Sequence, residues 1–248
     1  MGVMDPRTQI GGQDEAFRST CWSMILQSKD VDSETYQKNL ERLIEIYWKP
    51  AYAYIRRKWS KSNEDAKDLT QAFFADLLSR SFLEKVSPDK GRFRTFLRTC
   101  LENFLRNEYD RESTKKRGGD TKKLSLDFIN PDGTGAIDPE DTQTPEEIFD
   151  REWEKAAFQA ALTTLEEKYV EEGRPDYYRV FKIYYLNRGE KVSYGKVGAD
   201  LGIKESDVTN FLNHARSRFG GILEEIVRET VSEDAQVPEE MSHLFGGG

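Results

Sequence analysis

The sequence predicts an all-α fold, with two small helical domains joined by a flexible acidic linker and a helix-turn-helix in the C-terminal domain. Three observations predict it. Apolar residues recur at i, i+3, i+4 and i+7 in one segment after another. No run alternates with the two-residue period of a half-buried strand. Helix start and stop residues punctuate the chain where the periodicity begins and ends.

Residues 1–34 read as an N-terminal extension, and residues 35–113 as the first domain. Its first helix carries Leu40, Leu43, Ile44, Tyr47 and Trp48 at helical spacing up to Pro50, then Ala51, Tyr54 and Ile55 on to Trp59. Pro50, with no amide hydrogen to donate, is expected to kink this helix or start a new one. In SNEDAKDLTQAFFADLLSR, Ser62 and Asp65 are spaced as a cap and third helical residue, followed by Leu69, Phe73, Leu77 and Leu78 on one face. The clearest periodicity is that of Phe93, Phe96, Leu97, Cys100, Leu101, Phe104 and Leu105, a stripe that must be buried. Its outer face carries Arg94, Arg98, Asn103, Arg106, Asn107 and Arg111 beside Tyr109, side chains suited to phosphates and unstacked bases.

Residues 114–144 lose the periodicity and are rich in Asp, Gly, Pro and Thr, the composition of a linker. Thr144, Pro145 and Glu147 then form a helix start, a cap with proline at the first position and an acid at the third. Residues 145–220 form the second domain. Ile148, Phe149, Trp153, Ala156, Ala157 and Ala160 give its first helix an inner face, and Tyr177, Val180, Phe181 and Tyr184 supply another, ended at Gly189. Ser193 caps a short helix with Val197 and Leu201 inward and Ala199 placed for a close helix crossing. Gly202 makes the turn and Ile203 plugs the corner. The second helix of the pair runs from about residue 205 to 219. It buries Val208, Leu212, Ala215 and Phe219 and exposes Ser206, Thr209, Asn210, Asn213, His214, Arg216 and Arg218, groups that can bond base edges or phosphates in a major groove. Residues 221–248 form a short C-terminal helix and an acidic tail, read as a helical extension packed on its own domain or as an arm over the DNA-binding surface.

Charge is segregated along the chain. The net charge of −8 is composed of +8 over residues 46–126, −11 over 127–177, +4 over 178–219 and −6 over 220–248, with −3 before residue 46. Two basic blocks are thus separated and followed by acidic ones, a pattern that suits contacts with nucleic acid. The chain has two histidines, two cysteines without metal-ligand spacing and no phosphate-cradling glycine loop, so no catalytic residue, metal or cofactor is expected. A carboxylate nuclease built on Asp65, Asp68 and Asp76 is the enzyme alternative, and a solvated helix face accounts for those acids as well. No apolar run reaches the roughly 18 residues of a membrane span and no signal-peptide pattern opens the chain, so a cytoplasmic protein without membrane contact is expected.

Three stretches together resemble the sigma-70 family of bacterial transcription initiation factors, specifically the two-domain extracytoplasmic-function (ECF) type. DAKDLTQAFFADLL is similar to the family's core-polymerase-binding helix, FRTFLRTCLENFLRNEYDR to the helix that opens and reads the −10 promoter element, and YGKVGADLGIKESDVTNFLNHARSRF to the −35-reading helix-turn-helix. The resemblance implies core RNA polymerase and promoter DNA as partners and allows an anti-sigma factor. It places Asp65, Asp68, Leu69, Gln71 and Phe73 against the polymerase. Arg94, Arg98, Asn103, Arg106, Asn107 and Arg111 fall on the −10 element, with Lys115, Lys116 and Arg117 adding charge. Ser206, Thr209, Asn210, Asn213, His214, Arg216 and Arg218 fall on the −35 element. Lys67, Ala72, Thr209, Phe211 and His214 depart from residues common in the family, and the recognition helix is less basic for it. A stand-alone helix-turn-helix regulator is the other reading, and it leaves residues 62–111 without a role.

Overall fold

The structure is a computed structural model that describes residues 22, 25, 33–78, 91–115, 143–187 and 192–246. It is all-α. The helices are α1 (Glu34–Lys58), α2 (Asn63–Leu77), α3 (Phe93–Lys115), α4 (Pro145–Glu171), α5 (Pro175–Tyr185), α6 (Tyr194–Leu201), α7 (Glu205–Arg228) and α8 (Val237–Gly246), with a single 3-10 turn at Asp234–Gln236. No strand occurs among the described residues. Most of the linker and the end of the α5–α6 connection, including Lys116, Arg117 and Gly189, lie outside the described residues.

The helix starts follow the sequence closely. Ser33, Ser62, Thr144 and Ser193 each accept a backbone N–H from the third residue onward, which satisfies one of the unpaired donors of a first turn. At α4 the bonding is reciprocal: Glu147 N–H donates to Thr144 Oγ1 at 3.2 Å, and Thr144 N–H to the Glu147 carboxylate at 2.7 Å. α1 runs through Pro50 as one helix, so no new helix starts there. One boundary differs from expectation: α7 continues through Gly220 and Gly221 to Arg228 instead of ending near Phe219. Buried Ala215, Ile222, Leu223, Ile226 and Val227 hold that second half of α7 against the core, and this packing outweighs the poor helix propensity of two glycines.

The described buried residues form two apolar clusters of unequal size. α4 packs along α1, and one apolar cluster takes in Leu43, Tyr47 and Tyr54 of α1, Phe73 of α2, Phe93 and Leu101 of α3, Phe149 and Trp153 of α4 and Leu223 of α7. A second, small cluster of Val180, Val197, Val208 and Leu212 holds α5, α6 and the first half of α7 together. Phe149 stacks on Tyr47 and meets Tyr54 edge-on, so a residue of α4 completes the aromatic centre of the N-terminal half. Pairing between segments so far apart in sequence leaves no mark on the periodicity of either helix, because an apolar stripe does not say which partner covers it.

Candidate nucleic-acid interface

The outer face of α2 forms the first part of the site. Asp65 sits in the first turn, where its N–H donates to Ser62 Oγ at 3.1 Å and its carboxylate accepts the Ser62 hydroxyl at 2.8 Å. Asp65 and Asp68 are exposed, Gln71 is half-buried on the same side, and Leu69 is half-buried against the core. Phe73, expected to face a partner, is instead 0 % exposed and meets Phe74 and Phe104 edge-on. It belongs to the inner stripe of α2, and its part in any interface is to hold α2 on α3. Between the end of α1, α2 and α3 lies a shallow hollow lined by Trp59, Lys61, Leu69, Leu105, Glu108 and Tyr109. Tyr109 is one of the few large exposed hydrophobic side chains and lies with its ring 5.7 Å from that of Trp59.

α3 buries its expected stripe, with Cys100 only half-buried. Its outer face splits into two parts. In the second half, Asn103, Arg106, Asn107 and Arg111 are exposed; Arg106 lies 3.7 Å from Glu102 and Arg111 2.7 Å from Glu108, within the same helix. Pairs of this kind on a solvated helix contribute only a few tenths of a kcal/mol, roughly 0.3–0.5, so these arginines exchange partners at little cost. The head of α3 differs. Arg94, expected in solvent, has a side chain only 11 % exposed. Its Nη1 donates to Asp150 Oδ1 and its Nη2 to Glu240 Oε1, both at 3.0 Å, and its guanidinium lies 5.0 Å from the centre of the Trp153 ring. Arg98 is 3.9 Å from the other oxygen of Asp150. Arg92, not singled out by the sequence, contacts Glu240 at 2.8 Å and pairs with Glu239. The only trace of this arrangement in the sequence is the acidic pair Glu239–Glu240 in the tail.

The third part is the corner between α6 and α7. Gly202 adopts φ +67°, ψ 29°, the left-handed conformation that favours glycine, and ends α6. The close approach falls on Gly198 and not on Ala199, which is exposed: a Cβ on Gly198 would lie 2.8 Å from the Ile203 carbonyl oxygen. Along α7, Val208, Leu212 and Ala215 are buried and Phe219 half-buried, while Ser206, Thr209, Asn210, Asn213, His214 and Arg216 are exposed. Thr209 Oγ1 donates to the Glu205 carbonyl within α7, and two expected contact residues are engaged by the region around the end of α4. His214 Nδ1 shares a hydrogen bond of 2.7 Å with the Tyr169 hydroxyl. Arg218 forms a two-pronged pair with Glu172 and lies over the Tyr169 ring, 4.8 Å from its centre. These contacts fasten the middle of α7 to the C-terminal end of α4.

Two further features bear on chemistry. No group of His, Cys, Asp and Glu among the described residues has the arrangement of a metal site. None of the described helices is long and apolar enough to cross a membrane.

Residues 43–114, which span most of α1 and all of α2 and α3 but the last residue, match the family Sigma-70 region 2. The match supports a sigma-70-type factor acting with RNA polymerase in transcription initiation. Comparisons with curated proteins and with solved structures return no match.

Proposed function

We propose that this chain is a dissociable sigma factor of the ECF type, which binds core RNA polymerase and directs it to recognise and open promoters. The observation that carries the proposal is the Sigma-70 region 2 match falling on α1–α3, the helices that present an acidic face on α2 and a face of arginines and asparagines on α3. In this reading Asp65, Asp68 and Gln71 meet the polymerase, with Leu69 at the rim. The −10 strand is taken by Arg98, Asn103, Arg106, Asn107 and Arg111, while Arg94 is held inside by Asp150 and Glu240, and the exposed ring of Tyr109 offers a surface for an unstacked base.

The α6–α7 unit then serves as the helix-turn-helix for the −35 element. Ser206, Thr209, Asn210 and Asn213 face the bases and Arg216 a phosphate, and with His214 and Arg218 held by α4 this helix offers few positive charges. Few phosphate contacts make for weak binding to duplex DNA by the chain alone. A subunit mounted on polymerase does not need more, because tethering makes the second contact intramolecular. The chain needs no metal, cofactor or catalytic residue, since RNA synthesis belongs to the polymerase, and the cytoplasm is where that partner works.

Size-exclusion chromatography of the purified chain with core polymerase tests the first step. The chain co-elutes with core, and the double variant Asp65→Ala/Asp68→Ala does so less. A stand-alone regulator would ignore the polymerase and bind a duplex operator tightly by itself.

A further inference from the structure

The head of α3 is a built anion site that the chain fills with its own carboxylates. Three arginines, Arg92, Arg94 and Arg98, converge there, and Glu240, Glu239 and Asp150 meet them. Glu240 is 1 % exposed, and one of its oxygens receives both Arg92 Nε at 2.8 Å and Arg94 Nη2 at 3.0 Å. The fit is incomplete, because Arg94 Nε is buried and has no hydrogen-bond partner. A phosphate, with more acceptor oxygens than a carboxylate, would answer the donors that Glu240 leaves unmet.

The segment that brings Glu240 there is lightly held. α8 is ten residues long, too short to be stable in water by itself. Its apolar anchors are Val237 and Leu244, with half-buried Met241 and an edge contact of Phe245 on Phe158. His243 stacks on Trp153 and lies 3.7 Å from Glu154. Two buried aliphatic side chains are its main apolar footing, and its remaining hold on the head of α3 is through the ion pairs of Glu239 and Glu240. Desolvating charges offsets most of what such pairs gain. A packed structural helix would be better served by an apolar residue at position 240. A buried glutamate aimed at arginines suits a contact that forms and releases.

We propose that α8 is an internal lock: Glu240, helped by Glu239, occupies the phosphate-binding site at the head of α3 and competes with nucleic acid for Arg92 and Arg94. The proposal rests on the reading of α3 as a nucleic-acid-binding helix and adds its regulation. With α8 seated, the free chain presents only the exposed half of α3. With α8 displaced, Arg92 loses its partners in the tail and Arg94 keeps only its contacts with Asp150 and Trp153 of α4, leaving its Nη2 and Nε for a phosphate.

The test uses the full-length chain without polymerase, and measures binding of a fluorescein-labelled single-stranded oligodeoxynucleotide by anisotropy over a range of salt concentrations. The apparent Kd is the intrinsic Kd divided by the fraction of open molecules, so a lock open about one-tenth of the time weakens binding about tenfold. Glu240→Gln is expected to tighten binding by about that factor and to steepen the dependence of log K on log salt by about 1.4, two phosphate contacts at 0.7 each. Adding Arg92→Gln and Arg94→Gln to Glu240→Gln removes the gain. Glu233→Gln removes the same charge from an exposed position of the tail and leaves binding as in the wild type.

If Glu240→Gln fails to give a cooperative melting transition, exposed Glu239→Gln replaces it and gives a smaller gain in the same direction. Equal affinity and equal salt slope in wild type and a folded variant overturn the lock, as does a gain matched by Glu233→Gln. The sigma reading stands or falls separately, on start-site selection by polymerase carrying the wild-type chain.

Discussion

The Tyr54 hydroxyl donates to Glu102 Oε1 across 2.7 Å, tying the middle of α1 to α3, and Glu146 Oε1 of α4 lies 3.4 Å from the same oxygen. Tyr54 itself is fully buried. Lys58, one turn on, lies 3.5 Å from Glu102 and 3.1 Å from Glu146. The knot joins the helices matched by Sigma-70 region 2 to α4, outside the matched residues. Tyr54→Phe keeps the ring and loses the donor, and should lower stability by about 1 kcal/mol, read from urea unfolding.

The same knot predicts a pH dependence. Glu102 is held below the ordinary carboxylate value of 4.5 by the Tyr54 hydroxyl and, against the opposing cost of burial, by Lys58. Burial would raise Glu146, but its own backbone N–H and Lys58 outweigh that and leave it lowered. Depressed folded-state values mean stability that is fully present above about 4.5, the unfolded value, and lost as pH falls through the folded values. Lys58→Met removes a cause of both shifts. The wild type should therefore exceed Lys58→Met in melting temperature at pH 7, and the gap should close as the pH is taken below 4.

Because Phe149 reaches across to Tyr47 and Tyr54, α1–α3 and α4 should unfold together. Calorimetry should show a single transition for them, and Phe149→Ala should lower it by about 3–5 kcal/mol. Separate transitions, with only one moved by Phe149→Ala, would mean that the halves behave as independent units.

Within α6 two glycines should respond with opposite signs. Gly195 is exposed, and the nearest atom to an added Cβ is a Glu205 carboxylate oxygen at 3.7 Å, so Gly195→Ala should stabilise by up to about 1 kcal/mol through helix propensity. Gly198→Ala should destabilise, since the atom it meets is backbone and the Ile203 N–H bonds to the Gly198 carbonyl at 2.9 Å. Thermal melts of the two variants give the comparison.

Local features were legible in the sequence to the extent that they depend on neighbours along the chain. The caps at Ser62, Thr144 and Ser193, the stripe of α3 and the turn at Gly202 all match expectation. What depended on distant partners was not. Arg94 has the spacing of an outward residue, and only the arrival of α8 and Asp150 encloses it. His214 and Arg218 lie on the exposed side of α7, yet Tyr169 and Glu172 of α4 engage them. Phe73 belongs to the apolar face of α2 by its spacing and to the polymerase side by resemblance, and its burial against Phe104 sets it in the core. A charged side chain near an apolar stripe reads as solvated unless the element that covers it is known.

The most direct test of the central claim is transcription from genomic DNA of the source organism by core RNA polymerase, with and without this chain, with the 5′ ends of the transcripts mapped. The account predicts a discrete set of start sites that appears only when the chain is added and shares upstream sequence at the −10 and −35 positions. Start sites indistinguishable from those of core polymerase alone would contradict it.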